Sequence, residues 1–359
     1  MESVYFLWSL LSSADAVSTL IVTINHLLIG TYTHADEGGE AAQGIYSSDF
    51  DHESGNLGPM TLVAEAASPA FIAQNGNYIY TVNEQEEGKL SSFLITKGGL
   101  KFLNQVPSHG SYPCHLSVTS RYLSVANYGS GSIAIFDIRN GLIGSCNQQR
   151  KFEGRGPNQE RQMEPHSHQV FSAEPHIYVP DLGSDTLYRC ELSSEGELQD
   201  FSLRAELPPG SGPRHVDLHP TLPIIYLINE LSSTIAVIDK RSMEILQLVN
   251  ALPEDAKTAS TTAEIAVSAD GTSVYGSNRG DDSIVTFAVD QMGLLSNPSF
   301  TTSGGACPRH FTLDPSGQWL LVANQDTNNI VVFRLKNDRP AEIVCERVLP
   351  KPVCLHFLA

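Results

Sequence analysis

The sequence repeats one pattern of two short apolar strands along most of its 359 residues. Each copy begins at a proline or a small residue, passes through a polar or charged pair into an apolar strand, turns, and ends a second apolar strand at Asn or Asp. The copies begin at Pro69, Pro113, Pro165, Pro213, Ala263, Pro308 and Pro352, and their second strands end at Asn83, Asn127, Asp181, Asn229, Asn278 and Asn324. By subtraction, the beginnings are 44, 52, 48, 50, 45 and 44 residues apart. Such a period holds about four short strands with their turns, which is one blade of a β-propeller, so the sequence predicts an all-β ring of seven blades.

The seventh copy is incomplete, because the chain ends soon after Pro352. Two segments near the other end of the chain, residues 26–30 and 44–50, can supply the missing strands. We therefore predict a seven-bladed β-propeller whose last blade is closed by N- and C-terminal strands. Such a ring has no unpaired sheet edge at the point where it closes.

Residues 1–25 lie outside the repeat and are predicted to be an extension, either a leader or a disordered segment, while residues 26–359 form a single propeller domain. The extension contains two apolar runs separated by Asp15, and neither approaches the ~20 apolar residues of a membrane span. It also lacks the Lys or Arg with which a secretory signal normally begins. We therefore expect no membrane association.

Charge and cysteine content narrow the classes of function. The chain carries 22 basic and 40 acidic residues, and its formal net charge of −18 is opposite to the basic footprint that nucleic-acid binding requires. The six cysteines are scattered with no CxxC pair, which favours free thiols and a cytoplasmic protein. Neither glycine-rich nucleotide motif occurs in its required context, so no cofactor is predicted. A closed ring can exist alone, and we expect a monomer.

The repeat also places ionisable residues at one end of the central channel. The first strand of each blade is innermost and the second is antiparallel to it, so the second ends beside the start of the first. Arg214 and His215 should therefore lie beside Asn229 and Glu230. The same register joins His115 to Asn127, His166 and His168 to Asp181, Glu264 to Asn278 and Arg279, and Arg309 and His310 to Asn324. Side chains of His, Arg and Glu from several blades thus converge on a single mouth of the channel.

Some of these residues have other interpretations. A single histidine at such a position is more often structural, because buried polar groups are normally paired, but five at equivalent positions favour a functional set. Glu164, His166 and His168 alternate along a predicted strand and face one way, which is tolerable spacing for metal ligands; no fourth ligand accompanies them, so no metal is predicted. The arginines at the mouth are better explained as an anion-binding set. Arg161 lies in the longest predicted irregular insert, about residues 141–164, and inserts of this size are often functional.

Several motifs, in blade order and at blade spacing, resemble those of one enzyme family. They are LIGTYT at 28–33, GPNQERQMEPHSH at 156–168, VPDLGSD at 179–185, GPRH at 212–215, INE at 228–230, SNRGDDSI at 277–284 and PRHF at 308–311. Together they resemble the seven-bladed lactonase family, which includes propeller-type 6-phosphogluconolactonases and fungal carboxy-muconate lactonizing enzymes. The resemblance covers about residues 26–357, almost the whole chain.

The resemblance implies a lactone-processing enzyme with its site at the channel mouth and a catalytic set of one His, one Glu and two Arg. That set maps onto His166 or His168, Glu230, Arg214 and Arg279. The residues expected to bind the substrate are Arg161, His115, His215, Arg309 and His310. We expect hydrolysis of a small sugar lactone bearing an anionic group, with 6-phosphogluconolactone as the first candidate. Two alternatives stay open: cycloisomerisation of a carboxy-muconate to a lactone, and a non-catalytic scaffold.

Overall fold

The computed structural model describes residues 24–34, 41–256 and 258–358, and all its regular elements in these ranges are β-strands. The strands form seven antiparallel sheets arranged as a ring of blades. The predicted all-β, seven-bladed fold is therefore confirmed. Of the predicted extension, residues 1–23 lie outside the described residues, whereas Ile24 already begins the first strand. None of the described residues belongs to a helix that could span a membrane.

The strands follow one another through the blades in chain order. The blade that closes the ring contains β1 (Ile24–Thr31), β2 (Gly44–Asp51), β3 (Asn56–Leu57) and β4 (Thr61–Glu65). Blade 1 contains β5 (Ile72–Asn75), β6 (Tyr78–Asn83), β7 (Lys89–Thr96) and β8 (Gly99–Pro107). Blade 2 contains β9 (Pro113–Val118), β10 (Tyr122–Asn127), β11 (Ser132–Arg139) and β12 (Leu142–Lys151). Blade 3 contains β13 (Phe171–Ala173), β14 (His176–Asp181), β15 (Thr186–Glu191) and β16 (Arg204–Glu206).

Three further blades and one terminal strand complete the ring. Blade 4 contains β17 (Pro213–Leu218), β18 (Ile224–Asn229), β19 (Thr234–Asp239) and β20 (Ile245–Asn250). Blade 5 contains β21 (Thr261–Val267), β22 (Ser273–Arg279), β23 (Ser283–Val289) and β24 (Leu295–Thr302). Blade 6 contains β25 (Pro308–Leu313), β26 (Trp319–Asn324), β27 (Asn329–Lys336) and β28 (Arg339–Val348). The last strand, β29 (Pro352–Phe357), joins β1 to β4 to form blade 7.

Both ends of the chain build blade 7, as predicted. Strand β29 pairs antiparallel with β1, and β1 pairs with β2. Strand β29 also contacts the innermost strands of its two neighbours, β25 of blade 6 and β5 of blade 1. The innermost strand of blade 7 is therefore the C-terminal strand, and it closes the ring.

The core lies between the blades. Strands β10, β18 and β26 are buried at every residue, because each blade is covered on both faces by its neighbours. Their sequences are accordingly near-continuous apolar runs, the pattern expected of strands buried on both faces. Outer strands such as β12 are mostly exposed. This rigid stack of blades fixes the position of whatever protrudes at the ends of the channel.

Four of the Asn residues that end the second strands, Asn83, Asn127, Asn278 and Asn324, bind the segment that enters their blade. The amide of Asn127 donates to the Ser108 carbonyl at 3.1 Å, and that of Asn278 donates to the Ala251 carbonyl at 2.7 Å. Each of these carbonyls belongs to the segment that arrives from the outer strand of the preceding blade. Gly110, in one such segment, packs so closely that a Cβ atom would lie 2.4 Å from Cγ of Asn127. These contacts fix the level at which the inner strands begin, which we call the mouth of the channel.

Several inner strands contain a β-bulge at the mouth. In blade 4, Pro213 pairs with Asn229 and His215 pairs with Ile228, so Arg214 has no partner across the ladder. The pairing register shifts in the same way at Cys114 in β9 and at Arg309 in β25. A bulge places two residues opposite one and redirects their side chains. It lets two consecutive residues contribute to the mouth.

Two predictions about the segment before blade 3 are wrong. The insert expected to be irregular over residues 141–164 contains β12, which pairs with β11 as an ordinary outer strand; its polar side chains are exposed, which hid the strand in the sequence. Residues 164–168 do not form the predicted strand. Ser167 makes a single isolated bridge to Asp181, and the first strand of blade 3, β13, begins at Phe171. Glu164 is exposed, so it does not share a face with the two histidines.

Candidate active site

The Glu230 carboxylate is the centre of an ionic cluster at the mouth. Glu230 follows Asn229 at the end of β18 and is only 3% exposed. Its Oε1 accepts a hydrogen bond from Nη2 of Arg161 at 2.6 Å. Its Oε2 lies 3.1 Å from Nε of Arg214 and 3.0 Å from Nη2 of Arg279. The loop before blade 3, the bulge of β17 and the end of β22 thus each deliver one guanidinium to the same carboxylate.

The charges in this cluster fix the protonation state of Glu230. Burial by itself raises the pKa of this carboxyl, but the guanidiniums of Arg279, Arg214 and Arg161 outweigh burial and lower its pKa to about 2. Burial and the neighbouring Arg279 charge lower the pKa of Arg214 to about 10, so it also remains charged at neutral pH. Three cations surround one anion, and the net positive charge suits an anionic ligand, which guanidiniums bind bidentately.

The two candidate histidines occupy different places. His168 is buried, and its Nε2 lies 4.0 Å from Oε2 of Glu230. Burial and the Arg214 charge hold the pKa of His168 well below its usual value, so the imidazole is neutral. His166 is half-buried; its ring stacks on Tyr128 at 4.5 Å, and its Nδ1 lies 3.0 Å from the Tyr128 carbonyl oxygen. Only His168 reaches the Glu230 cluster.

A buried group of His215, His310 and Glu264 lies beneath the ionic cluster. Nδ1 of His215 is 3.0 Å from Oε1 of Glu264, and Nε2 of His310 is 3.5 Å from its Oε2. Burial lowers the pKa of His215 well below its usual value and the pKa of His310 to about 4, and burial raises the pKa of Glu264. These side chains line the same small cavity as Arg214 and His168.

His115 is separated from that cavity by an aromatic ring. Its imidazole stacks on Phe71 with 3.9 Å between ring centroids. It lines a second cavity of about 440 Å³, whose walls include Val118 and Leu313 at the far ends of two inner strands. This cavity therefore opens towards the end of the channel opposite the mouth.

Comparison with known proteins identifies the family. The model of the seven-bladed β-propeller lactonases matches residues 26–357. The chain belongs to this lactonase family. Its relatives include a 6-phosphogluconolactonase of Bacillus subtilis, 34% identical over 92% of this chain and 97% of the relative, and a 6-phosphogluconolactonase of Formosa agariphila, 33% identical over 86% of this chain and 92% of the relative. The resemblance carried by the sequence motifs is confirmed.

A solved lactonase structure has the same overall fold. The periplasmic gluconolactonase of Pseudomonas aeruginosa matches with a TM-score of 0.87 and 28% sequence identity. The match covers 94% of this chain and 99% of the neighbour. The shared architecture therefore extends over the whole ring, including the blade built from both chain ends.

The lactonase mouth also contains Tyr128 and Tyr32, which the sequence did not single out, and Glu84, a carboxylate that follows a strand-ending Asn as Glu230 does. Tyr128 receives a hydrogen bond from Nη2 of Arg161 at 3.1 Å. Across the mouth, the Tyr32 hydroxyl donates to Glu84 at 2.8 Å, and the Arg309 guanidinium lies 5.1 Å from the centroid of the Tyr32 ring. Tyr128 directly follows Asn127 as Glu230 follows Asn229, so the repeat register could have identified Tyr128 as well.

The potential metal ligands of the mouth do not form a metal site. Within the ranges that the structure describes, no group of three or more His, Cys, Asp or Glu side chains could hold a metal ion. Glu164 is exposed whereas His168 is buried, and His168 faces a carboxylate that three arginines already neutralise. The ionisable side chains at the mouth are guanidinium, imidazole and carboxyl groups.

Proposed function

We propose that the protein hydrolyses small sugar lactones that carry an anionic group, with 6-phosphogluconolactone as the first candidate substrate. The observation that carries this proposal is the cluster of Arg161, Arg214 and Arg279 around Glu230, beside the neutral imidazole of His168. Membership of the lactonase family and the names of two relatives, both 6-phosphogluconolactonases, support the reaction class. The net positive charge of the mouth favours a substrate with a phosphate or carboxylate.

In this proposal His168 is the general base. Lactone opening requires a water molecule to attack the ester carbonyl and lose a proton, a step to which a positioned base contributes about 10²–10⁴ in rate. A base must be unprotonated, and burial keeps His168 neutral. Both carboxylate oxygens of Glu230 are already engaged by arginines, so Glu230 is less available to accept this proton. Nδ1 of His166 is directed to the Tyr128 carbonyl oxygen, whereas Nε2 of His168 lies 4.0 Å from Glu230.

The arginines divide into two roles. Attack on the carbonyl places negative charge on its oxygen, and preorganised donors stabilise such an oxyanion by about 3 kcal/mol each. Arg214 and Arg279 are assigned this role, because Glu230 holds both near His168. Arg161, whose side chain is 39% exposed, and Arg309 are assigned to the phosphate or carboxylate of the substrate. His215 and His310, on the cavity wall, are assigned to the sugar hydroxyls.

The compartment, the partners and the oligomeric state of the protein are part of the same proposal. All six cysteines carry free thiols, which supports a reducing compartment such as the cytoplasm. The net charge of −18 disfavours a nucleic-acid partner. A monomer without cofactor stays our prediction. His115 supports the Phe71 ring that forms the cavity floor, and it is the least direct of the proposed binding residues.

A panel of lactones tests this function. We expect the protein to hydrolyse 6-phosphogluconolactone faster than the spontaneous reaction, as measured by proton release. Its kcat/KM should be about tenfold or more higher than for unphosphorylated gluconolactone, because the arginines bind the phosphate. The His168→Gln variant should lose most of this activity. Equal rates with and without enzyme would refute lactone hydrolysis, and loss of muconate ultraviolet absorbance instead would indicate the cycloisomerase reaction.

The pH dependence of kcat/KM tests the role of His168. Activity needs the neutral imidazole, so it should fall only as the pH drops below the lowered pKa of His168. The acidic limb should therefore lie below about pH 6.5, the ordinary value for histidine. The limb should be absent in the residual activity of His168→Gln. An acidic limb at or above the ordinary histidine value would contradict the assignment.

A further inference from the structure

A second carboxyl group faces the proposed site from the other side of the mouth. Glu84 follows Asn83, which ends the second strand of blade 1, as Glu230 follows Asn229 in blade 4. In a ring of seven, blades three steps apart are as distant as the ring allows, so the two carboxyl groups approach the mouth from opposite sides. Glu84 lines the same small cavity as His168 and Arg214.

The surroundings of Glu84 differ from those of Glu230. Its Oε2 accepts a hydrogen bond from the Tyr32 hydroxyl at 2.8 Å, and the Arg309 guanidinium lies over the Tyr32 ring. Among the described residues, no cationic side chain lies within ion-pairing distance of Glu84, whereas three arginines surround Glu230. Burial raises the pKa of Glu84, and Arg309 and the Tyr32 hydrogen bond oppose this only in part. The mouth thus lowers the pKa of the Glu230 carboxyl group and raises the pKa of the Glu84 carboxyl group.

Ring opening requires a proton donor as well as a base. Attack of water forms a bond from its oxygen to the carbonyl carbon, and the proton of the water passes to His168. When the intermediate collapses, the bond from that carbon to the ring oxygen breaks, and its electron pair remains on the ring oxygen. An alkoxide is a poor leaving group, so the ring oxygen must receive a proton as the bond breaks.

We propose, on the basis of the lactone hydrolysis proposed above, that the Glu84 carboxyl group donates this proton from the side of the mouth opposite Glu230. Glu84 leaves the step as a carboxylate, next to the charge of Arg309. It regains a proton from solvent, and His168 releases the one that it took. The net reaction converts lactone and water into a hydroxy acid, which ionises in solution.

The other groups of the mouth are less suited to this step. Arg214 and Arg309 stay charged and do not give up protons at neutral pH. Burial holds the pKa of the Tyr32 hydroxyl well above its usual value, and that hydroxyl already donates to Glu84. An anionic substrate at the mouth would raise the pKa of Glu84 further, because a nearby like charge disfavours a carboxylate. Substrate binding therefore helps to keep the donor protonated.

Two substitutions and one matched control test this role. Glu84→Gln preserves the shape of the side chain but removes the acidic proton, so kcat should fall by about 10²–10⁴ and the basic limb of the kcat–pH profile should disappear. Tyr32→Phe removes a hydrogen bond that stabilises the Glu84 carboxylate, so the basic limb should move to higher pH. Glu86→Gln alters an exposed carboxylate two residues away and should leave both kcat and the limb unchanged.

The outcomes separate this inference from the proposed function. A wild-type protein that turns over no lactone refutes the function itself. A wild-type enzyme that is active, with Glu84→Gln equally active and its basic limb intact, refutes only the role of Glu84. If Glu84→Gln does not fold, the direction of the Tyr32→Phe shift decides: movement of the limb to lower pH, or no movement, overturns the proposal.

Discussion

Replacing Glu230 with glutamine is expected to lower kcat/KM for the lactone by about 10²–10³, the loss seen when one preorganised oxyanion donor is removed. Glutamine has nearly the same shape but no charge, so Arg214 and Arg279 lose the carboxylate that holds them. The two guanidiniums would then repel each other. Arg214, which is 2% exposed, would keep a buried charge without its partner. Steady-state kinetics with 6-phosphogluconolactone, corrected for spontaneous hydrolysis, measure the effect.

Stability must be measured beside activity in this variant. Breaking a buried ion pair by removing one partner costs about 3–5 kcal/mol, so the melting temperature of Glu230→Gln should also fall. Glu244→Gln, an exposed carboxylate on the same blade, should change neither quantity. A folded Glu230→Gln protein with wild-type kcat/KM would remove Glu230 and its arginines from the proposed mechanism.

The repeat pattern made the architecture predictable from the sequence. Every blade contributes the same buried second strand, and β18 and β26 read as continuous apolar runs because neighbouring blades cover both of their faces. The incomplete copy after Pro352 indicated that strands from the other chain end must complete the ring, and β29 pairs with β1 accordingly. Outer strands were harder to identify, since the exposed and polar β12 has neither apolar periodicity nor a neighbour on its outer side.

Part of the candidate site could be located by the same register argument. It placed Arg214 and Glu230 at one level because the first two strands of a blade are antiparallel, and the structure brings their charged groups to 3.1 Å. The argument could not choose between His166 and His168, since that segment is not a regular strand and its side chains do not alternate as expected. The register argument also could not identify Tyr32 as a residue of the mouth, because Tyr32 follows β1 and lies outside the repeated pattern.

The β-bulges explain why the alternation of side chains along a strand predicts too few charged groups at the mouth. Strand alternation would send Arg214 and His215 to opposite faces of their blade. The unpaired position of Arg214 in the ladder allows Arg214 to contact Glu230 while His215 contacts Glu264. No residue type in the sequence marks this bulge, since Cys114 occupies the same position in blade 2. The local geometry that concentrates charge at the mouth is therefore a property of the packed ring.

Removing residues 350–359 is expected to abolish the stable fold. This deletion removes β29, whose Val353, Cys354 and Leu355 are each at most 3% exposed and belong to three different core clusters. Burying a Val or Leu side chain stabilises a protein by about 1.5–3 kcal/mol, and a domain is stable by only about 5–15 kcal/mol. The deletion also leaves β1 unpaired along the channel and removes the contacts by which β29 joins the innermost strands of blades 6 and 1. Thermal unfolding followed by circular dichroism measures the result.

A peptide of residues 350–359 added to the truncated chain provides the matched control. It should restore the melting transition, because a free strand can pair with the exposed edge of β1. The same peptide carrying Leu355→Asp should not restore it, since the aspartate would enter the core cluster that holds Trp319 and Leu321. A truncated chain that melts like the full-length protein would show that the ring is stable without its C-terminal strand. The mouth would then have to be held by the other six blades alone, although β29 lies between β25, which carries Arg309, and β5.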